Sequence, residues 1–281
     1  MINFDGNLVE KADVITNENR GYKYGDAVFE TIKVVHGKLL FWEDHYFRLM
    51  SAMRIMRMEI PMNFTMEFLE SEIIKTLEAN DLLKATARVR FNVDRGDGGK
   101  YLPNSTDVSY NITVEAYAQD FYTLNKSEAY TVDLYKDYYI SPDLLSTLKT
   151  NNKAINVLGS IYASENGWQN CFLLNTNKQV VEALNGNIFL IKGETIKTPP
   201  LQDGCLKGVM RKQIIDVILN SGDYVLDESS ISPFELQKAD EIFITNVMVG
   251  IQPILQYRKK SYVTTISEDI LRRLNLKLRI S

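Results

Sequence analysis

Cysteine and histidine are both nearly absent from this chain of 281 residues. Cys171 and Cys205 cannot build a disulfide framework, which points to a reducing, cytoplasmic setting. His36 and His45 are the only histidines, and no pair among these four residues has the spacing of zinc ligands, so no metal is expected. A basic excess is missing too. The formal net charge is -4, which argues against a nucleic-acid partner. Long apolar runs are absent: Ile242–Ile244 and Ile188–Ile191 fall far short of the roughly 20 residues a membrane span needs. The opening Met1–Gly6 has neither the basic start nor the apolar stretch of a secretory signal. A phosphate-binding P-loop is excluded as well. The one glycine-rich stretch, Arg95-Gly-Asp-Gly-Gly-Lys100-Tyr101, is followed by no Gly-Lys-Ser/Thr and opens no helix. No internal repeat or low-complexity segment is visible. These exclusions lead to the expectation of a soluble cytoplasmic protein.

The length and apolar content suit two domains with a core each. Residues 1–117 read as mixed α and β. A turn-rich stretch, Gly21–Asp26, enters the alternating strand Ala27–Val35, and His36-Gly37-Lys38 turns into Leu39–Trp42. Helical spacing of apolar residues follows over Glu43–Met58 and Thr65–Asn80. Strands are predicted at Thr86–Val93 and Val108–Ala116. A polar connection over 118–127 then leads to a second α+β domain, 128–281. There a strand near Ala129–Tyr135 precedes a helix from about Asn152 to Glu165, which Asn166-Gly167 stops. Short strands follow at Cys171–Leu174, Val180–Ala183, Asn187–Ile191 and Thr195–Thr198. A helix over Gly208–Leu219 and a strand over Ile242–Val247 complete the reading.

Three segments carry chemistry in order along the second half. Lys149 sits between a loop and a helix and supplies an amine able to form a Schiff base. Glu182 ends a strand-like run and could keep a pyridine nitrogen protonated. Lys207-Gly208-Val209-Met210 opens a helix, where unpaired backbone N–H groups attract phosphate. Those are the anchors that pyridoxal 5'-phosphate requires. Each also has an ordinary reading: a solvated lysine with Lys153 as its rival, an edge glutamate, a plain turn before an amphipathic helix. In the glycine-rich loop, Arg95 and Lys100 are candidates for neutralising substrate carboxylates. Arg48 is either a surface charge or a ligand for an anion.

Taken together the segments resemble the fold-type IV pyridoxal-phosphate enzymes, the class IV aminotransferase family. The likeness runs over nearly the whole chain. Gly21–Asp26 through Glu30 is similar to the family's N-terminal turn and strand, and His45-Tyr-Phe-Arg48-Leu49 to its His-x-x-Arg-Leu helix. Leu148-Lys149-Thr-Asn-Asn152 with Asn156-Val-Leu158 resembles the lysine segment and selects Lys149 over Lys153. Glu182-Ala-Leu-Asn-Gly-Asn187-Ile-Phe189, Thr198–Leu201 with Gly204–Arg211, and Thr245-Asn246 with Gln252-Pro253-Ile254 resemble its cofactor-side segments.

The resemblance implies two α+β domains of the D-amino acid aminotransferase-like type, with the cofactor at the domain interface, and a homodimer. It implies that Arg48, Gly208, Val209, Met210, Thr245 and Asn246 bind the cofactor together with Lys149 and Glu182. Phe29, Arg95 and Lys100 are expected to meet an amino substrate. Met210 stands where threonine is common in the family, and no arginine lies just before Lys149. The Arg95–Tyr101 loop and the Thr-Asn pair look most like 4-amino-4-deoxychorismate lyases, so release of 4-aminobenzoate and pyruvate is the first expectation. The alternative is a branched-chain or D-amino acid aminotransferase. A remoter one is a cofactor-binding protein without catalysis.

Overall fold

A computed structural model describes residues 1–10, 15–124 and 129–280. The chain divides into two compact units. The first comprises Met1–Asp120 with Lys149–Asn152, and the second Phe121–Leu148 with Lys153–Ser281. Of the connection expected at 118–127, residues 125–127 lie outside the described residues. The mixed α+β class read from the sequence is the one observed.

The first unit runs β1 (Ile2–Phe4), β2 (Asn7–Val9), α1 (Arg20–Tyr24), β3 (Ala27–Val35), β4 (Lys38–Leu39), α2 (Trp42–Ile55), α3 (Met66–Glu78), β5 (Thr86–Arg95) and β6 (Val108–Ala116). Its sheet has the order β2-β1-β6-β5-β3-β4, and every pairing is antiparallel. Alternation decides the two faces. Val28, Ile32 and Val34 share one face with Val89, Phe91 and Val93, and α2 packs on β3 there. The opposite face is polar and carries Thr31, Lys33, Arg88, Arg90, Asn92 and Asp94. The turn expected over Gly21–Asp26 is mostly helix instead. Asn19 caps α1 by accepting from the Tyr22 N–H, and Gly25, at φ 65°, ends it. The strand expected over Leu39–Trp42 is cut short because Phe41 turns left-handed, at φ 57°, and α2 starts at once.

The second unit runs β7 (Thr131–Ile140), α4 (Ala154–Glu165), β8 (Asn170–Asn175), β9 (Val180–Ala183), β10 (Gly186–Lys192), β11 (Thr195–Thr198), α5 (Val209–Ser221), β12 (Val225–Glu228), α6 (Pro233–Lys238), β13 (Glu241–Asn246), β14 (Gly250–Ile254), β15 (Gln256–Tyr257), β16 (Lys260–Ser261) and α7 (Thr265–Ile280). Its sheet is ordered β12-β11-β10-β9-β8-β7-β15-β16, with β13 pairing to β10 and β14. Phe172, Ile188, Ile242, Ile244 and Ile254 form the centre of one core cluster, and all are essentially inaccessible. A second cluster gathers Tyr135, Cys171, Leu173, Val181 and Cys205, against which Ile155 and Tyr162 of α4 pack. Both cysteines are free and buried. Among the described residues no helix is long and apolar enough to cross a membrane.

Candidate active site

Lys149 is fixed by the edge of β3. The Phe29 N–H donates to the Lys149 carbonyl at 2.9 Å, and the Asn151 N–H donates to the Ala27 carbonyl at 3.0 Å. Val28 and Thr150 form an antiparallel bridge between them. A lysine held on both flanks loses little further backbone freedom when its amine is engaged. Its Nζ lies 4.5 Å from the centre of the Phe29 ring. The Arg90 guanidinium carbon lies 3.8 Å from the centre of the same ring. Phe29, only 8% exposed, thus serves two cations, and its electron-rich face offsets part of the cost of holding them.

Arg90 is not among the candidates read from the sequence. One of its Nη atoms donates to Asn151 Oδ1 at 2.9 Å, which ties β5 to the lysine segment. Burial and the neighbouring Arg88 push its pKa down, while Asp94 works the other way. The signal is present in the alternation of Arg88, Arg90, Asn92 and Asp94 with Val89, Phe91 and Val93, which marks a polar sheet face. Asn92 continues the polar row by donating to Asp94 Oδ2 at 2.8 Å, and Asn111 donates to the same oxygen at 3.1 Å.

On the other face of β3, Glu30 receives both polar residues of the His-x-x-Arg stretch. Its Oε1 accepts from Arg48 Nε at 2.7 Å, and its Oε2 accepts from Arg48 Nη2 and meets His45 Nδ1 at 2.7 Å. Burial raises the Glu30 pKa, but Arg48 and His45 outweigh it and hold the carboxyl down to about 2. His45 is pushed below its ordinary value, chiefly by burial, so the imidazole is neutral near pH 7.

Arg95 and Lys100 differ in their surroundings. The Arg95 guanidinium is engaged with Asp26 at 2.9 Å, with the Arg57 carbonyl at 2.9 Å and with the Met56 carbonyl. It is 6% exposed, so it ties a loop to β5 where the sequence suggested a grip on substrate. The glycine-rich loop itself is fastened by Arg20, whose Nη1 donates to the Gly98 and Lys100 carbonyls. The Lys100 side chain is exposed, as is the neighbouring Tyr101.

In the second unit, Glu182 lies on β9 and accepts from the Leu206 N–H at 2.9 Å. Asn187 donates to the Leu206 carbonyl at 2.8 Å, so β9 and β10 together shape the approach to α5. Gly208 is the N-cap of α5, and no side chain caps the helix. The first N–H groups of α5 are therefore available to an anion. Val209 and Met210 bury their side chains, at 4% and 1% exposure, and can serve an anion only through the backbone. A Cβ at Gly208 would fall 2.0 Å from Asn187 Oδ1, which explains the glycine by packing, since its φ is an ordinary -71°. Thr245 on β13 is 2% exposed, and its Oγ1 has no hydrogen-bond partner among the described residues. An orphaned buried hydroxyl is costly unless a ligand or water meets it. Asn246 is engaged elsewhere, since its Oδ1 accepts from the Met248 and Val249 N–H groups and caps the turn into β14. Among the described residues no acidic, histidine and cysteine cluster could hold a metal.

Residues 27–257 match the family described as amino-transferase class IV. Three curated proteins are similar over most of their length. A putative branched-chain-amino-acid aminotransferase of Methanocaldococcus jannaschii is 29% identical, over 91% of this chain and 87% of its own. The D-alanine aminotransferase of Listeria innocua is 28% identical, over 88% and 84%. The aminodeoxychorismate lyase of Vibrio harveyi is 25% identical, over 84% of each. Solved structures share the fold. The branched-chain aminotransferase of Thermoproteus uzoniensis, solved with norvaline, superposes with a TM-score of 0.87 at 23% identity, covering 97% of this chain and 92% of its own. A T.th. branched-chain amino acid aminotransferase, complexed with N-(5'-phosphopyridoxyl)-L-glutamate, gives 0.84 at 20% identity, covering 97% and 92%. Fold and family match together define an enzyme, and the chain belongs to the class IV aminotransferase family.

Proposed function

We propose that the chain carries pyridoxal 5'-phosphate and uses it to cleave an amine-bearing carboxylate, as 4-amino-4-deoxychorismate lyases do. The observation that carries the cofactor reading is Lys149, pinned through its own carbonyl and the Asn151 N–H to β3, with its amine over Phe29 beside Arg90. The donor set suits the rest of the group. Uncapped N–H groups at Val209 and Met210 and the orphaned Thr245 hydroxyl suit a phosphate, as does the cation of Arg48. Glu182 supplies the carboxylate for a protonated ring nitrogen.

When bound, the cofactor supplies a covalent anchor for the substrate amine and an electron sink for the carbon beside it. Lys149 would hold it and would take the proton from the amine-bearing carbon of the substrate. Glu182 would keep the ring nitrogen protonated. Phe29 would exclude water from the lysine side, which strengthens every charge interaction there. With Arg95 committed to Asp26, the cation suited to a substrate carboxylate is Arg90, which shares the Phe29 ring with Lys149.

The loop Arg95–Tyr101 and the Thr245-Asn246 pair favour the lyase reading, and the Vibrio harveyi relative supports it. The aminotransferase reading is favoured by the higher identity of the Methanocaldococcus and Listeria relatives. One assay separates the two. Purified enzyme is given aminodeoxychorismate, and in parallel a panel of branched-chain and D-amino acids with 2-oxoglutarate or pyruvate. The lyase reading expects 4-aminobenzoate and pyruvate in the first arm. Brisk amino-acid turnover with no aminobenzoate would reverse the ranking. A protein that stays colourless with pyridoxal phosphate would end both.

A further inference from the structure

Arg48 does not stand alone on α2. Its guanidinium is gripped at two points, Nε and Nη2, by the two oxygens of Glu30, a residue of β3. His45, three residues before Arg48 on α2, meets the same carboxylate through Nδ1 at 2.7 Å. The side chains of Glu30 and His45 are 2% and 0% exposed, and that of Arg48 is 11% exposed. A two-point contact fixes the plane of a guanidinium, which a single charge-charge contact does not. His45 Nε2 is buried without a hydrogen-bond partner among the described residues, so this imidazole is turned wholly toward the carboxylate. With His45 neutral, Glu30 and Arg48 sum to no net charge. Electrostatics alone makes the arrangement a poor one for an anion, because a carboxylate beside a phosphate repels it. What Glu30 offers is orientation.

We infer that Glu30, steadied by His45, is a positioning residue: it orients Arg48 toward the cofactor's phosphate, so that preference for the phosphorylated cofactor depends on a carboxylate that never touches it. This rests on the reading of Arg48 as a phosphate ligand. The geometry explains why one carboxylate on β3 is given to two residues of the same helix face, and the reading separates two effects of opposite sign. Removing the charge of Glu30 would tighten phosphate binding if proximity of charge governed. It weakens binding if orientation governs.

The test compares wild type with E30Q, E30D and R48Q. Each is titrated with pyridoxal 5'-phosphate and with pyridoxal, and quenching of the protein's tryptophan fluorescence gives both dissociation constants. The ratio of the two isolates the phosphate contact, and thermal melting monitors the fold. Wild type is expected to prefer the phosphorylated form, and R48Q to lose most of that preference. E30Q is expected to lose about tenfold of it, as for one mis-set charged contact, with pyridoxal affinity unchanged. E30D, which keeps the charge at shorter reach, should recover part. An unchanged or increased ratio in E30Q, with R48Q reduced, overturns the inference alone. Equal loss for both ligands in E30Q also overturns it, because that is the mark of a purely structural residue. A wild type without preference, or an unaffected R48Q, brings down the reading of Arg48 and this inference together. Should E30Q fail to fold, E30D decides: a reduced ratio supports the inference and an unchanged one overturns it.

Discussion

At Asp94 the fold works against a charge. The residue is 4% exposed, and burial pushes its carboxyl up to about 6, helped by Asp97 and Asp5 and opposed by Asn92 and Arg90. A carboxyl raised in the folded state makes the ionised form a burden there, so stability falls as pH rises from about 4 through about 6. D94N keeps an acceptor for Asn92 and Asn111 and cannot ionise. It is expected to raise stability at pH 8 by about 2 kcal/mol, with the gain vanishing near pH 3. Melting curves at the two pH values measure it. A variant no more stable than wild type at pH 8 would contradict the reading. The polar alternation of β5 is legible in the chain, but its consequence is not. Asp94 is buried because α1 lies against it, and a Cβ on Gly21 would come within 2.0 Å of its Oδ1. Arg95 shows the same limit from the other side. An arginine in a glycine-rich loop reads as a binding residue, and only the position of Asp26 and of two carbonyls shows that its donors are already engaged.

Elements with strong local signals are legible. Ala27–Val35, Val108–Ala116, Val180–Ala183 and Thr195–Thr198 are strands with the bounds that alternation and turns suggest. Elements whose support comes from far along the chain are not. The sequence reading contains no α7, whose N-terminus is capped by Glu241, which accepts from the Ile266 and Ser267 N–H groups and from the Ser267 hydroxyl. Local signals for this helix exist too, since the Thr264 hydroxyl donates to Glu268 at 2.7 Å one turn on and Ile270, Leu271 and Leu274 are buried at helical spacing, but the cap itself is supplied from β13. E241Q puts an amide where carboxylate oxygens receive donors and removes a negative charge from a helix N-terminus. It should cost about 1–3 kcal/mol in denaturant unfolding. No measurable change would mean that α7 does not depend on this cap. The start of α5 is legible through Gly208, although the reason it must be glycine is not. Because Asn187 is held against the Leu206 carbonyl, a methyl group at 208 has little room. G208A should lower the melting temperature, by about 1–3 kcal/mol of stability, and weaken pyridoxal 5'-phosphate binding with it. Retained affinity and stability would show that Asn187 yields at little cost.

At the scale of the whole molecule, the two-sheet α+β plan is legible, because each half carries its own alternating and helical periods. Placement of the lysine segment is not. Residues Lys149–Asn152 cluster with a strand more than a hundred residues earlier, and only long-range pairing to Ala27–Phe29 reveals that. Tyr22, Tyr101 and Leu102 are exposed at 75%, 90% and 85%, and Val157, Leu158 and Ile161 of α4 are exposed at 58%, 43% and 50%. Large apolar residues left in water at this level are consistent with association. The proposed homodimer predicts a sedimentation mass about twice the chain's 32.2 kDa at micromolar concentration. A single species at the chain mass would remove it.

The most direct test is chemical. The purified protein is incubated with pyridoxal 5'-phosphate, reduced with borohydride, digested and mapped. The account predicts one cofactor per chain, attached to the peptide that contains Lys149, and no labelling of K149A. Label on Lys153, on another side chain, or on none would contradict it.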